Sequence, residues 1–123
     1  MSSTFAILVV EDDVLIRDYV GSVLKAAGYD VTSAANVADA LEVLNGCFKP
    51  NLLFTDVYMG AGLNGIELAR NARQMFPDLK ILFTSGFMPA TERDQMPEGA
   101  QVLQKPYRKK DCLTKVMAML KDL

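Results

Sequence analysis

Glu11, Asp12, Asp56, Thr84 and Lys105 are the residues of this chain whose types could do chemistry together. Each lies at the end of a predicted strand. Phe5–Val10 stops on Glu11-Asp12-Asp13, Leu52–Thr55 stops on Asp56, Leu79–Phe83 stops on Thr84-Ser85-Gly86, and Gln101–Gln104 stops on Lys105-Pro106. A carboxylate can serve as a nucleophile, a hard metal ligand or a helix cap. Taken singly, Glu11 and Asp12 read as caps or solvated turn residues, Thr84 as a turn residue and Lys105 as a solvated charge. Gathered on one rim they need compensation, because two unit charges about 5 Å apart repel by roughly 3 kcal/mol at an effective dielectric near 20. Lys105 offers one positive charge, and a hard divalent ion such as Mg2+ would offer the rest. The chain has no histidine. That removes histidine triads, histidine metal sites and histidine acid–base catalysis.

The order of elements decides whether these residues meet. Phe5–Val10 is an unbroken apolar run, as expected of a strand buried on both faces. A helix is predicted from about Val14 to Ala27, with Asp13 as N-cap, a stripe of Ile16, Val20, Val23, Leu24 and Ala27, and Gly28 at its end. Tyr29–Ser33 reads as a strand. Asn36–Asp39 opens a second helix that faces inward through Val37, Ala40, Leu41 and Leu44 and closes at Gly46. Asn51–Asp56, after Pro50, is the central strand. The loop 57–63 carries Gly60 and Gly62, and Asn64 caps a third helix with Glu67 as capping-box partner. Its buried face is predicted as Leu68, Ala69, Ala72, Met75 and Phe76, and Pro77 stops it. Between the strand Leu79–Phe83 and the strand Gln101–Gln104 lies an irregular segment, 87–100. There Pro89 could start a helix that Pro97 and Gly99 end within about two turns, and one of Met88 and Met96 is expected in the core. A last helix runs from about Lys109 to Leu120, facing inward through Leu113, Val116, Met117 and Leu120.

Five strand–helix repeats imply one α/β domain over residues 1–123, with a parallel sheet, right-handed crossovers and helices on both faces. Strand C-termini then share one edge, where such sheets place their ligand crevice. Half of the residues are apolar and the formal net charge is −2. That suits a globular protein and disfavours nucleic-acid binding. Cys47 and Cys112 make no metal motif and no disulfide framework, so a reduced, cytoplasmic protein is expected. Phe5–Val10 is too short for a signal peptide or a membrane span.

At this point the chain resembles the response-regulator receiver domain of two-component signalling, over essentially its whole length. The resemblance rests on five motifs in order: Ile7-Leu8-Val9-Val10-Glu11-Asp12-Asp13, Leu53-Phe54-Thr55-Asp56, Asn64-Gly65-Ile66-Glu67-Leu68, Phe83-Thr84-Ser85-Gly86 and Gln104-Lys105-Pro106-Tyr107. It implies a flavodoxin-like, chemotaxis-regulator fold with a five-stranded sheet in the order 2-1-3-4-5. It implies Asp56 as phosphoacceptor, taking a phosphoryl group from a histidine kinase or a histidine phosphotransfer protein. Glu11 and Asp12 match the acidic pair that holds Mg2+, with Asp12 expected to touch the ion directly. Asp56 and the backbone carbonyl of Tyr58 would complete the metal site. Thr84 would hydrogen-bond the phosphoryl group, and Lys105 would ion-pair with it. Pro106 is commonly preceded by a cis bond in the family. Such a protein is not a turnover enzyme. It catalyses only its own phosphorylation and slow dephosphorylation, and it switches its affinity for an output protein.

The chain departs from the family pattern in places. Gly60 stands where a Pro is usual, and Gly65 falls nine residues past Asp56 where many receivers have eight. A looser loop of the kind common in receivers of hybrid kinases is expected. Val102 stands three residues before Lys105, where an aromatic usually swings inward on activation. Without it, Tyr58 is expected to screen water from the acyl phosphate, and segment 87–100 to be the switch. A monomer or weak dimer is expected, any dimer forming through the last two strand–helix units. The start Met1-Ser2-Ser3-Thr4 favours a stand-alone regulator over a receiver from a hybrid histidine kinase. A phosphate-independent docking module is the alternative, although it would gain nothing from clustered carboxylates. A Mg2+-dependent phosphatase would want a second acid two residues past Asp56, where Tyr58 stands.

Overall fold

The computed structural model describes residues 4–59, 64–86 and 90–121. The strands are β1 (Ala6–Val10), β2 (Asp30–Ala34), β3 (Leu52–Asp56), β4 (Lys80–Ser85) and β5 (Gln101–Gln104). They alternate with helices α1 (Val14–Ala26), α2 (Val37–Leu44), α3 (Gly65–Met75), α4 (Ala90–Arg93) and α5 (Lys109–Leu120). All strand pairs are parallel, and the sheet order is β2-β1-β3-β4-β5. This is the expected flavodoxin-like arrangement.

Side chains on a strand alternate between faces, so each strand feeds two cores. On one face Leu8, Val10, Leu53, Ile81 and Phe83 pack with α2 and α3 through Val37, Leu44, Leu68 and Ala72. On the other, Ile7, Val9, Leu52, Phe54, Leu82 and Leu103 pack with α1 and α5 through Val20, Leu24, Val116 and Leu120. β1 and β3 are buried along their whole length, because helices cover both sides of them.

The N-caps predicted for the first three helices form, although at α3 only the Asn64 half of the predicted capping box is found among the described residues. Asp13 caps α1, accepting from the Leu15 and Ile16 amides, and Asn36 caps α2 through the Asp39 amide. Asn64 caps α3 by accepting from the Glu67 amide at 3.0 Å. Gly28 has φ +102°, the left-handed conformation that ends α1 without a Cβ penalty. Helix faces differ from expectation at their edges. Ala27 and Met75 are exposed, each at a helix end beyond the reach of the sheet. On α5 Met117 is exposed, while Cys112 and Met119 are buried, so the buried stripe is Cys112, Val116, Met119 and Leu120. α4 is a single turn with no buried residue. Met96 packs against the core cluster from the segment after it. Gly60, Gly62, Met88 and Pro89 lie outside the described residues.

Candidate functional site

Pairing in register brings the polar residues to one edge. Asp56 on β3 lies opposite Thr84 on β4. Val10, opposite Thr55, hands the chain to Glu11 and Asp12 beside Asp56. The Lys105 amide donates to the Ser85 carbonyl at 2.9 Å, which keeps Lys105 against β4 just past the end of β5. The Lys105–Pro106 bond is cis, as the family resemblance implied.

Local hydrogen bonds fix the acidic turn. The Glu11 amide continues the β1–β2 pairing by donating to Ala34 O at 3.1 Å. The Asp13 amide donates to Glu11 Oε1 at 3.1 Å, and Arg17 Nη1 donates to Glu11 O at 2.8 Å. The result is a Glu11 carboxylate folded inward and buried, with Asp12 next to it exposed. Glu11, Asp12 and Asp56 each present a carboxylate oxygen, and these lie within 4.8 Å of one another. Lys105 Nζ sits 2.8 Å from Asp56 Oδ2 and 3.6 Å from Glu11 Oε2. The other Asp56 oxygen, Oδ1, accepts from the Tyr58 amide at 3.3 Å.

Burial pulls the Lys105 ammonium down. The Asp56 hydrogen bond and charge, with Glu11 behind them, outweigh it and hold Lys105 above its ordinary value. Burial pushes Glu11 up to about 6, with the Asp56 charge and the Asp12 hydrogen bond adding to it and the Asp13 amide and Lys105 opposing. Three carboxylates against one ammonium leave the rim acidic. All the donors are hard oxygens, which fits a hard divalent cation rather than a soft metal. Beside Asp56, the Thr84 side chain is 1% exposed and its Oγ1 has no hydrogen-bond partner among the described residues. A buried hydroxyl left unpaired costs about 1–3 kcal/mol. It is tolerated where a ligand completes it.

The family profile described as "Response regulator receiver domain" matches residues 7–117. The chain belongs to the response regulator receiver domain family. Among similar receivers, the response regulator receiver protein CpdR of Brucella abortus is 40% identical over 117 residues, covering 93% of this chain and 95% of that protein. The sensor kinase CckA of Brucella abortus is 31% identical across 98% of this chain, which spans 13% of the kinase's length. The crystal structure of the receiver domain from hybrid histidine kinase CckA superposes with a TM-score of 0.81 at 30% identity, covering 94% of this chain and 99% of that one.

The receiver edge thus gathers Glu11, Asp12, Asp56, Thr84 and Lys105, all five expected from the sequence. Tyr58 lies beside them, half exposed, with its hydroxyl hydrogen-bonded to the Glu92 carboxylate on α4. Sequence reasoning missed that partner, because 34 residues separate the two and a lone surface acid carries no signal. It also missed Arg17. An arginine one turn into a capped helix lies above the end of the preceding strand, which is the available clue. Tyr107, read only as part of a motif, packs edge-on to Phe54 with ring centres 6.3 Å apart. It forms part of the floor between the sheet and α5. Its hydroxyl is buried without a partner among the described residues, and burial holds its pKa high.

Proposed function

We propose that this receiver accepts a phosphoryl group on Asp56, from a phosphohistidine on a histidine kinase or phosphotransfer protein, and thereby switches its affinity for an output protein. An Asp56 carboxylate oxygen attacks phosphorus and the phosphorus–nitrogen bond to histidine breaks. The histidine leaves and an acyl phosphate remains. Asp56 is 7% exposed, so the approach is through the acidic edge and most water is excluded. Lys105, already on Asp56 Oδ2, neutralises charge that builds on the phosphoryl oxygens. The Thr84 hydroxyl donates to one of them. Glu11, Asp12 and Asp56, with the Tyr58 backbone carbonyl, would hold Mg2+. The ion supplies positive charge for the phosphoryl group, whose transfer depends mainly on positioning and electrostatics.

The observation that carries this reading is the buried Thr84 hydroxyl, without a partner among the described residues and in register with Asp56. A helix cap or a docking surface has no use for it, whereas a phosphoryl oxygen completes it. The test is incubation with acetyl phosphate and Mg2+, followed by intact mass measurement. The wild type is expected to gain one phosphoryl group, and Asp56→Asn none. A wild type that gains nothing would indicate a docking module, and steady hydrolysis of phosphate esters would indicate a phosphatase.

A further inference from the structure

Tyr58 touches the site at one end and α4 at the other. Its amide donates to Asp56 Oδ1 at 3.3 Å, and its hydroxyl donates to the Glu92 carboxylate. α4 has one turn and buries nothing, so its own packing does little to place it. The far side of the α4 segment is held from α3. Arg70 Nε donates to Gln95 O at 2.9 Å, and Arg73 Nη1 donates to Glu98 O at 2.8 Å. Tyr58 holds the near side. Beyond α4 a cavity of about 620 Å³ opens toward β5, with Arg93, Met96, Pro97 and Val102 in its walls. Val102 lies in register with Phe83 on β4 and has no aromatic ring to swing toward the Asp56 edge.

We propose that Tyr58 is the relay that reports the state of Asp56 to α4, holding Glu92 before phosphorylation and releasing it afterwards. This rests on the reading of Asp56 as phosphoacceptor. When Asp56 is acylated, one carboxylate oxygen becomes the bridge to phosphorus and the other a neutral carbonyl. The negative charge that the Tyr58 amide faces moves out onto the phosphoryl oxygens. At 3.3 Å the amide bond to Oδ1 is long and is exchanged at low cost. A tyrosine side chain has only two torsions with which to absorb a turn of its own peptide. The turn therefore displaces the hydroxyl from Glu92. α4 then loses its tie to Tyr58, while the bonds from Arg70 and Arg73 continue to hold the chain just after it.

Amide hydrogen exchange over residues 90–96 tests this. Its reporters are the amides of Asp94, Gln95 and Met96, which donate to Ala90, Glu92 and Arg93 carbonyls. Wild type, Tyr58→Phe, Glu92→Ala and the double variant are compared before and after acetyl phosphate with Mg2+, with intact mass run alongside. In the unphosphorylated protein each single variant should speed exchange roughly three- to tenfold, and the double variant no more than either. After phosphorylation all four should exchange alike, which a merely structural contact would not produce. Unchanged exchange in unphosphorylated Tyr58→Phe would overturn the relay, as would a variant difference that survives phosphorylation. If mass shows the phosphoryl group on the wild type, such a result refutes the relay alone. If no phosphoryl group is taken up, the role of Asp56 fails and the relay with it.

Discussion

Glu11 sets the charge balance of the site. It is 4% exposed and is held under the β1–α1 turn by the Asp13 amide. Burial raises its pKa from 4.5 to about 6. The folded protein therefore binds this proton more tightly than the unfolded chain does. Stability from this group is complete below about pH 4.5 and is lost as pH rises through about 6. Near pH 7 the ionised carboxylate costs the metal-free fold about 2 kcal/mol. In chelator, Glu11→Gln is thus expected to be more stable than the wild type by about 1–2 kcal/mol at pH 7, and equal to it near pH 4. Urea unfolding of both proteins across that range measures the difference. A constant offset at all pH values would show that Glu11 does not carry the titration.

The elements show which parts of the site were legible in the sequence. β1, β3 and β4 announced themselves as apolar runs because helices cover both faces, and a run that ends on a charge marks its own C-terminus. Parallel pairing then brings Glu11, Asp56, Thr84 and Lys105 together without further information. Contacts between elements were not legible. The Tyr58–Glu92 bond and the arginine bonds from α3 depend on where a one-turn helix settles, and no periodicity encodes that. Gly65 lies between these cases. The sequence marks it as the start of a helix and as part of a family motif, but not that a Cβ there would lie 2.0 Å from the Asp56 carbonyl oxygen. That neighbour is backbone at the end of a central strand and cannot yield without moving Asp56. The Gly65 amide also donates to Val57 O at 2.8 Å, tying α3 to the strand end. Gly65→Ala gains at most about 1 kcal/mol of helix propensity. It costs about 3 kcal/mol in overpacking, so the clash wins. The expected outcome is a net loss of about 2 kcal/mol in chemical unfolding, together with slower phosphorylation by acetyl phosphate. Full stability in Gly65→Ala would mean that β3 and α3 separate easily.

At the scale of the whole molecule, the sheet gathers unfavourable charge at one edge and balances it with two buried cores. β1 and β3, whose ends carry the carboxylates, are the most enclosed strands, so the repulsion is set against the best-packed part of the fold. A cation that binds this edge binds the folded state alone, since the unfolded chain does not hold Glu11, Asp12 and Asp56 together. Mg2+ should therefore stabilise the whole domain through mass action. At ten times its dissociation constant the gain is about 1.4 kcal/mol. The unfolding midpoint of the wild type is expected to rise with Mg2+ concentration, without a change in denaturant slope. Asp12→Asn removes an exposed ligand and leaves both cores intact. It should fold as well as the wild type in chelator and lose most of the Mg2+ response. An equal Mg2+ response in Asp12→Asn would place the ion elsewhere. No Mg2+ response in the wild type would mean that Lys105 alone balances the edge.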